Sequence, residues 1–468
     1  MPARQGQVAR CPDVPDSGGG VKPHDRLAQI LADAFLAGDW TAPGMRERAH
    51  HVLAGRHAWA RRLAGEVVAG YRSAPADRPR ELLHFVASTK TFVELERRKR
   101  RTGRFPVAVR WLTEPTSTTR RPFLTPVLDH AGAFAELLGV SEPELLWFAD
   151  TKGMLRRAPS QRLQHYRSRW VTTPRGTARL LEAPLIRLRA IQRQMLQELL
   201  EPIPVSESAH GFVRGHSVQT NASRHIGAQW VISVDLESFF ASITGGRIYG
   251  IWRSAGYPEP VAHLLTGLST HATPLRVLRE MPVVADSSAA FRLRRRLATP
   301  HLPQGSPTSP RLANLCAFRL DRRLTAYAAA IGATYTRYAD DLTFSGSGLA
   351  VDQRGIVGGI SRIVTEEGFV VNSGKTRVRG RDSRQLVTGV VVNNATRVPR
   401  PEYDLLRAIL HNCVRDGPAS QNRLQLNDFR THLRGRIAWI GSLDAEQGRR
   451  LLNTFDRIDW SGGQPTSP

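Results

Sequence analysis

The chain has 468 residues, and its 66 lysines and arginines against 41 aspartates and glutamates give a formal charge of +25. That surplus excludes an acidic disordered tail and calls for an anionic partner, with a polyphosphate backbone the leading candidate and a lipid surface the weaker one. With 41% hydrophobic residues there is apolar surface for two to four packed domains; no window approaches the roughly 18 apolar residues of a membrane span and the first thirty residues lack a signal-peptide run, so a cytoplasmic protein with no membrane partner is expected.

In chain order, residues 1–20 and 461–468 have no apolar period and are expected to fray. From Asp25 to about Arg101 the pattern is helical. Leu27, Ile30, Leu31, Ala34 and Phe35 recur at helical spacing, and Leu82, Phe85, Val86, Phe92 and Leu95 mark a later helix that ends in a basic run. The Pro-spotted stretch Phe105 to Pro126 reads as a linker, followed by helices at Ala131–Leu138 and Glu142–Ala149. From Trp170 the texture turns α+β. A helix is expected over Pro184 to Leu200 and a strand buried on both faces over Gln229–Asp235. Ser309 is expected to cap a helix that has Pro310 in its first turn and Gly332 at its end. Strands Thr334–Tyr338 and Leu342–Ser345 follow, separated by Ala339, Asp340 and Asp341. A further strand is expected at Gln385–Val392, and helices from Pro401 to Trp460. No internal repeat is found.

Cys11, Cys316 and Cys413 are odd in number and unsuited in spacing to a disulfide framework or a zinc knuckle, so all three read as small buried hydrophobes. Only five basic residues are lysines, which leaves 61 arginines, a bias in line with genomic base composition. After Lys152 the sole lysine is Lys375, and a position that keeps lysine there invites a chemical explanation.

Three acids stand out: Asp235 at the end of the buried strand, and the adjacent Asp340 and Asp341. Alone, an Asp-Asp pair reads as a solvated turn. Held between Tyr338 and Leu342 in a central sheet, beside another acid-bearing strand, it concentrates negative charge that only cations make tolerable. Phosphoryl transfer by two magnesium ions needs such an arrangement, with carboxylates bridging metals roughly 3.5–4 Å apart.

These residues carry a family resemblance. Tyr338-Ala339-Asp340-Asp341 resembles the Tyr-X-Asp-Asp box of reverse transcriptases, and Asp235-Leu236-Glu237-Ser238-Phe239-Phe240 the first acidic motif of that palm. Leu302-Pro303-Gln304-Gly305-Ser306-Pro307-Thr308-Ser309-Pro310 is similar to the box that packs on the nascent base pair. The run Gly368 to Thr376 is similar to the Gly…Asn…Lys-Thr motif. The four stand in the family's order over about residues 170–395. Within the family the chain resembles bacterial retron enzymes: Asn221-Ala222-Ser223-Arg224-His225 fits their Asn-Ala-X-X-His element and Val387-Thr388-Gly389 their Val-Thr-Gly triplet. Gly211-Phe212-Val213-Arg214-Gly215-His216-Ser217 sits where they carry a Gly-Phe-X-X-Gly-X-Ser stretch. Two features depart from the pattern. Ser238 replaces an acid often found in that motif, and the first 125 residues exceed the usual lead-in.

The resemblance implies that Asp235, Asp340 and Asp341 hold two Mg2+ ions and that Lys375 protonates or stabilises the departing pyrophosphate. It places Phe240 under the nucleotide sugar, Gln304 and Gly305 at the base pair, and Arg179, with Arg175 as a weaker second, at the incoming triphosphate. Glycine lets backbone approach closely at Gly305, and Gln304 offers both donor and acceptor. Plainer readings stand beside these: a core phenylalanine, which suits Phe239 better than Phe240, and surface arginines at Arg175 and Arg179. Asn221, His225, Val387, Thr388 and Gly389 would recognise RNA, against a satisfied core or capping histidine and a strand bulge at Gly389. Arg292, Arg294, Arg295 and Arg296 either follow a phosphate backbone or lie in a solvated loop. The helices around Arg434-Gly435-Arg436 look like a thumb, or a plain helical bundle.

The expected architecture is thus an α+β right-hand polymerase: a helical amino-terminal extension (1–125), a helical lead-in (126–170), fingers (171–230), palm (231–395), a helical thumb (396–460) and a tail (461–468). The expected activity is RNA-directed DNA synthesis from deoxynucleoside triphosphates on a cognate structured non-coding RNA. Resemblance to retrons adds priming from a 2′-hydroxyl, a branched RNA–DNA product, an effector protein and a role in antiphage defence. An intron-encoded or other prokaryotic reverse transcriptase is the alternative enzyme, although about 70 residues beyond the palm leave little room for maturase and endonuclease parts. A non-catalytic RNA-binding scaffold is the alternative of another class, and the intact acidic triad argues against it.

Overall fold

The structure is a computed structural model that describes residues 8–10, 23–53, 55–75, 78–103, 105–108, 110–112, 122–158, 160–173, 176–284, 286–348 and 352–460. The chain forms two compact units that are discontinuous in sequence. The first comprises 1–203, 244–283 and 298–300, the second 204–243, 284–297 and 301–468.

In the first unit, helices Pro23–Leu36, Ala42–Val52, Ala58–Gly70, Pro79–Ser88 and Lys90–Thr102 surround one apolar core that includes Leu31, Phe35, Leu63, Leu82 and Phe92. Each such side chain contributes about 1.5–3 kcal/mol when fully buried. Local chemistry sets the helix ends. Thr41 Oγ1 accepts from Gly44 N–H and Thr89 Oγ1 from Phe92 N–H, while Gly103 ends the last helix in a left-handed conformation. The amino-terminal segment and the Pro-spotted linker each supply a short strand, β1 (Val8–Arg10) and β2 (Arg110–Leu112), paired antiparallel; residues 113–121 and 461–468 lie outside the described residues. Helices Ala131–Leu138 and Glu142–Ala149 fall at the expected bounds. A hairpin of β3 (Tyr166–Thr172) and β4 (Ala178–Pro184) then takes the residues where a helix was expected to start, and the helix begins only at Ile186. It runs to Met195 and loosens into a π turn over Leu196–Leu200.

The second unit is built on an antiparallel sheet of four strands in the order β6-β7-β5-β8: β5 (Trp230–Leu236), β6 (Ala333–Tyr338), β7 (Asp341–Gly346) and β8 (Val371–Gly380). Central β5 is buried along almost its whole length, as its nearly continuous apolar run requires. The helix expected from Ser309 is two helices, Ser309–Cys316 and Phe318–Ala330, with Thr308 and not Ser309 at the cap position and no side-chain cap bond. The expected strand Gln385–Val392 is a hairpin of β9 (Leu386–Val387) and β10 (Val390–Val391) turning through Thr388 and Gly389, whose φ angles of 47° and 85° make a turn and not a bulge. Helices Arg400–Asp416, Phe429–Leu443 and Ala445–Phe455 close a second core with Val231, Val387 and Val390. Cys413 is buried there, whereas Cys316 is only half-buried. Residues 287–297, read as part of an insertion, form a helix. Among the described residues no helix is long and apolar enough to cross a membrane.

Candidate active site

Strand register sets two of the three acids side by side and puts the third at the adjoining tip. Asp235 lies directly opposite Asp341 in the β5–β7 ladder, and Tyr338 pairs with Asp341 across the β6–β7 hairpin, so the loop is only Ala339 and Asp340. Asp341 therefore belongs to a strand, and Asp340 stands at the tip. The Asp340 carbonyl accepts from Leu236 N–H at 2.9 Å, which ties the tip to the end of β5. Lys375, on β8, reaches both carboxylate oxygens of Asp235 at 2.9 Å. The ammonium partly neutralises the acid that strand pairing brings up against Asp341.

Holding a two-residue tip in place has a conformational cost. Ala339 adopts φ 56°, a left-handed conformation that costs a residue with a side chain on the order of 1 kcal/mol. Two neighbours fix it. Arg337, fully buried, forms a two-pronged pair with Asp321 at 2.8 and 2.7 Å. Its remaining nitrogen donates to Asn314 Oδ1 at 2.9 Å and to the Ala339 carbonyl at 3.1 Å, and the guanidinium lies 5.8 Å from the Phe239 ring centroid. Burial works against the charged guanidinium, but the Asp321 carboxylate outweighs it and holds Arg337 above its ordinary pKa. From the other side comes Gly211, where a Cβ would sit 2.6 Å from the Ala339 nitrogen. Only glycine allows this approach, and Asn314 Nδ2 holds the Gly211 carbonyl at 2.9 Å. The reading by motif passed over Arg337, Asp321 and Asn314. Their signal was an acid and an amide seven residues apart in a helical stretch otherwise apolar on that face.

His225 sits 1% exposed behind the same hairpin. Nδ1 is 2.7 Å from Ser345 Oγ on β7 and Nε2 is 2.7 Å from Thr336 Oγ1 on β6, so one ring ties both arms. Burial first, then the charges of His210 and Arg224, push its pKa down to about 3, so the ring is neutral. Asn221 and Val387 are also fully buried, with Asn221 Nδ2 donating to Thr388 Oγ1 at 3.4 Å. Such side chains offer RNA no surface. Of the residues expected at the RNA, Asn221, His225 and Val387 pack the interior, Thr388 is half-buried and Gly389 is exposed at the turn.

Phe240 is half-buried and Phe239 buried, as weighed from the sequence. Phe240 lies 6.1 Å from the ring of Phe212, which is itself 6.4 Å from Tyr338, making an aromatic rim beside the acidic tip. Ser238, where an acid is often found, takes φ 51° and starts the short helix Phe239–Ser242. Gln304 is half-buried and Gly305 exposed in the turn after Leu302, whose N–H bonds the Ile243 carbonyl at 3.3 Å. Arg292 and Arg296 both bond Glu237, at 3.2 and 3.0 Å, leaving Arg294 and Arg295 exposed on that helix. Arg179 is exposed on β4 of the first unit, and Arg175 lies outside the described residues.

Among the described residues no three histidine, cysteine or carboxylate side chains are placed so that they could hold a metal ion as they stand. The donor set is nonetheless that of a hard divalent cation: two strand-opposed carboxylates and a third at the tip. Ions such as magnesium take one or two carboxylates and complete their shell with water and phosphate oxygens.

The reverse transcriptase (RNA-dependent DNA polymerase) family model matches residues 171–390, a span that holds the acidic tip, Lys375 and the rim. The chain is 41% identical over 300 residues to the retron Mx65 reverse transcriptase of Myxococcus xanthus, covering 63% of this chain and 65% of that one. It is 37% identical over 349 residues to the retron Mx162 reverse transcriptase of the same organism, covering 71% and 67%. To the retron Ec86 reverse transcriptase of Escherichia coli it is 31% identical over 294 residues, covering 62% and 80%. The chain thus spans about two thirds of the length of the two Myxococcus xanthus proteins, and with this likeness it belongs to the retron-type reverse transcriptases, a family of RNA-directed DNA polymerases.

Proposed function

We propose that the chain copies a structured non-coding RNA into DNA, using Asp235, Asp340 and Asp341 as ligands of two magnesium ions. The observation that carries this is the register of Asp235 against Asp341 with Asp340 on a two-residue tip. Bound there, the ions would activate the attacking hydroxyl and neutralise charge on the phosphates. The side chains have their own tasks. Arg337 and Gly211 hold the tip. Lys375 orients Asp235 and supplies positive charge near the leaving group. Phe240 in the aromatic rim excludes a 2′-hydroxyl from the incoming sugar, and Gln304 and Gly305 face the new base pair. Arg179, with Arg175, takes the triphosphate, a role that rests on motif resemblance.

In this reading residues 171–230 act as fingers, 231–395 as palm and 396–460 as thumb, in a cytoplasmic enzyme. Its kinship supports a retron product, DNA primed from a 2′-hydroxyl of the cognate RNA and left branched on it, with an effector protein and antiphage defence downstream. Co-expression with the RNA encoded beside the gene tests this. DNA that migrates with a covalently attached RNA, and shortens on ribonuclease treatment, is the expected product; DNA free of RNA would overturn the branched product, and absence of DNA the polymerase itself.

A further inference from the structure

The helical region before residue 105 lies outside the span matched by the family model, and it carries a feature the polymerase chemistry does not use. Helix Lys90–Thr102 buries Phe92 and Leu95 and turns Glu94, Arg97, Arg98 and Arg101 to one exposed face, at i, i+3, i+4 and i+7, with Arg100 beside them. With Arg62 and Trp59 of helix Ala58–Gly70 this face lines a cleft of about 760 Å3. Five arginines meet one acid there, and that acid, Glu94, pairs with Arg62 at 3.5 Å.

Arg97, Arg98, Arg100 and Arg101 have no carboxylate partner among the described residues. Some exposed helical arginines elsewhere find one, Arg450 with Glu446 and Arg400 and Arg407 with Asp404, and others such as Arg294 and Arg295 do not among the described residues, so it is the crowding of four on one short stretch that sets this face apart. The last-turn position does favour cations through the helix dipole. That does not explain three like-charge neighbours, 97 with 100 and 101, and 98 with 101, which destabilise a helix unless an anion lies between them. The floor is made by Leu95, Trp59 and Thr91, all largely buried. A basic groove over an aromatic and aliphatic floor is how single-stranded nucleic acid is held without sequence preference, phosphates on the rim and bases against the floor.

We infer that this cleft binds a single-stranded segment of RNA, outside the polymerase site. The choice of RNA over another polyanion rests on the proposed function; the cleft itself does not. The test uses the full chain and a 30-nucleotide polyuridine probe, with binding measured against salt. Arg97, Arg98, Arg100 and Arg101→Gln together should lower the log–log slope by about 2–3, near 0.7 per lost contact, and weaken binding at least tenfold at physiological salt. The matching four Arg→Lys changes should restore most of the slope. Arg26, Arg56, Arg61 and Arg72→Gln, four exposed arginines off the cleft, should change it by less than 1. Unchanged binding by the cleft variant, or equal loss in both Gln variants, overturns the site. So does loss of poly-glutamate binding with polyuridine binding intact, which would make the cleft a surface for an acidic protein. Extension of an annealed primer reads the proposed function separately: a wild type that binds but does not extend sinks that reading and leaves this one standing.

Discussion

The acidic hairpin of the second unit and the basic cleft of the first treat charge in opposite ways. Around the hairpin the cations that touch the site's elements are paired: Arg337 with Asp321, Lys375 with Asp235, Arg292 and Arg296 with Glu237. On helix Lys90–Thr102, four adjacent arginines have none among the described residues. A paired, buried arginine is a building element whose loss breaks the fold around it, whereas an unpaired, exposed one can be lost with little effect on stability. In a chain with 61 arginines, the partner and the burial separate the two roles, and the residue type alone does not.

The largest effect on stability should therefore come from Arg337. Arg337→Met leaves Asp321 charged and buried and should cost about 3–5 kcal/mol in urea unfolding. Adding Asp321→Leu should recover most of it, while Arg98→Gln should stay within about 0.5 kcal/mol of wild type. If Arg337→Met and Arg98→Gln cost the same, the contrast fails.

Gly211→Ala comes next. Its methyl would meet the Ala339 nitrogen, so either the tip moves or the loop retreats, at about 1–3 kcal/mol. A fall in turnover with little change in KM for deoxynucleotides is expected, because the tip positions metal ligands and does not bind the base. A change confined to KM would place Gly211 in substrate binding instead.

Phe240→Ala sharpens the difference between the built interior and the rim. The ratio of ribonucleotide to deoxynucleotide incorporation should rise about tenfold or more, since excluding one hydroxyl is worth roughly 1–3 kcal/mol, with deoxynucleotide use little altered. An unchanged ratio would make Phe240 a packing residue like Phe239.

The smallest effect is a pH slope. His225 has a pKa of about 3 in the folded protein against an ordinary 6.5. Below 6.5 the unfolded chain takes up a proton that the folded one refuses. The stability tied to the neutral ring is thus complete above 6.5 and falls as pH drops towards 3, by at most about 1.4 kcal/mol per unit. His225→Gln should melt with a shallower dependence between pH 6.5 and 5, and parallel curves would contradict the neutral, buried ring. Because His225 ties both arms of the hairpin, the variant should also slow extension on a generic primed RNA as much as on the native RNA. Selective loss on the native RNA would return His225 to RNA recognition.

Much of this was legible because the chemistry is local. Tyr338 to Asp341 marks a turn between two strands, although Asp341 proved to pair in the second of them; the apolar run before Asp235 announces a buried strand, and the helices at 131–138 and 142–149 show their period and their ends. What escaped depends on distant partners. Edge strand β8 runs half-buried and exposed mostly in pairs and carries glycines, so no apolar pattern marks it, although Lys375 stands in it. Arg337 looked like one arginine among many until Asp321 and Asn314 closed around it. His225 belonged to a recognisable element, but only its bonds to Thr336 and Ser345 show that the element supports the hairpin. The two interleaved units could not be read from a chain that leaves the first and returns to it twice.

The most direct measurement is magnesium-dependent extension of a DNA primer annealed to RNA by wild type, Asp340→Asn and Asp341→Asn, with RNA affinity recorded for each. Replacing either carboxylate by a neutral amide should lower extension by orders of magnitude while RNA affinity and its salt slope stay at wild-type values, because the carboxylate charge holds the ions and the arginines hold the RNA. Near-normal extension by either variant would contradict the assignment of the strand-opposed acids as the catalytic centre.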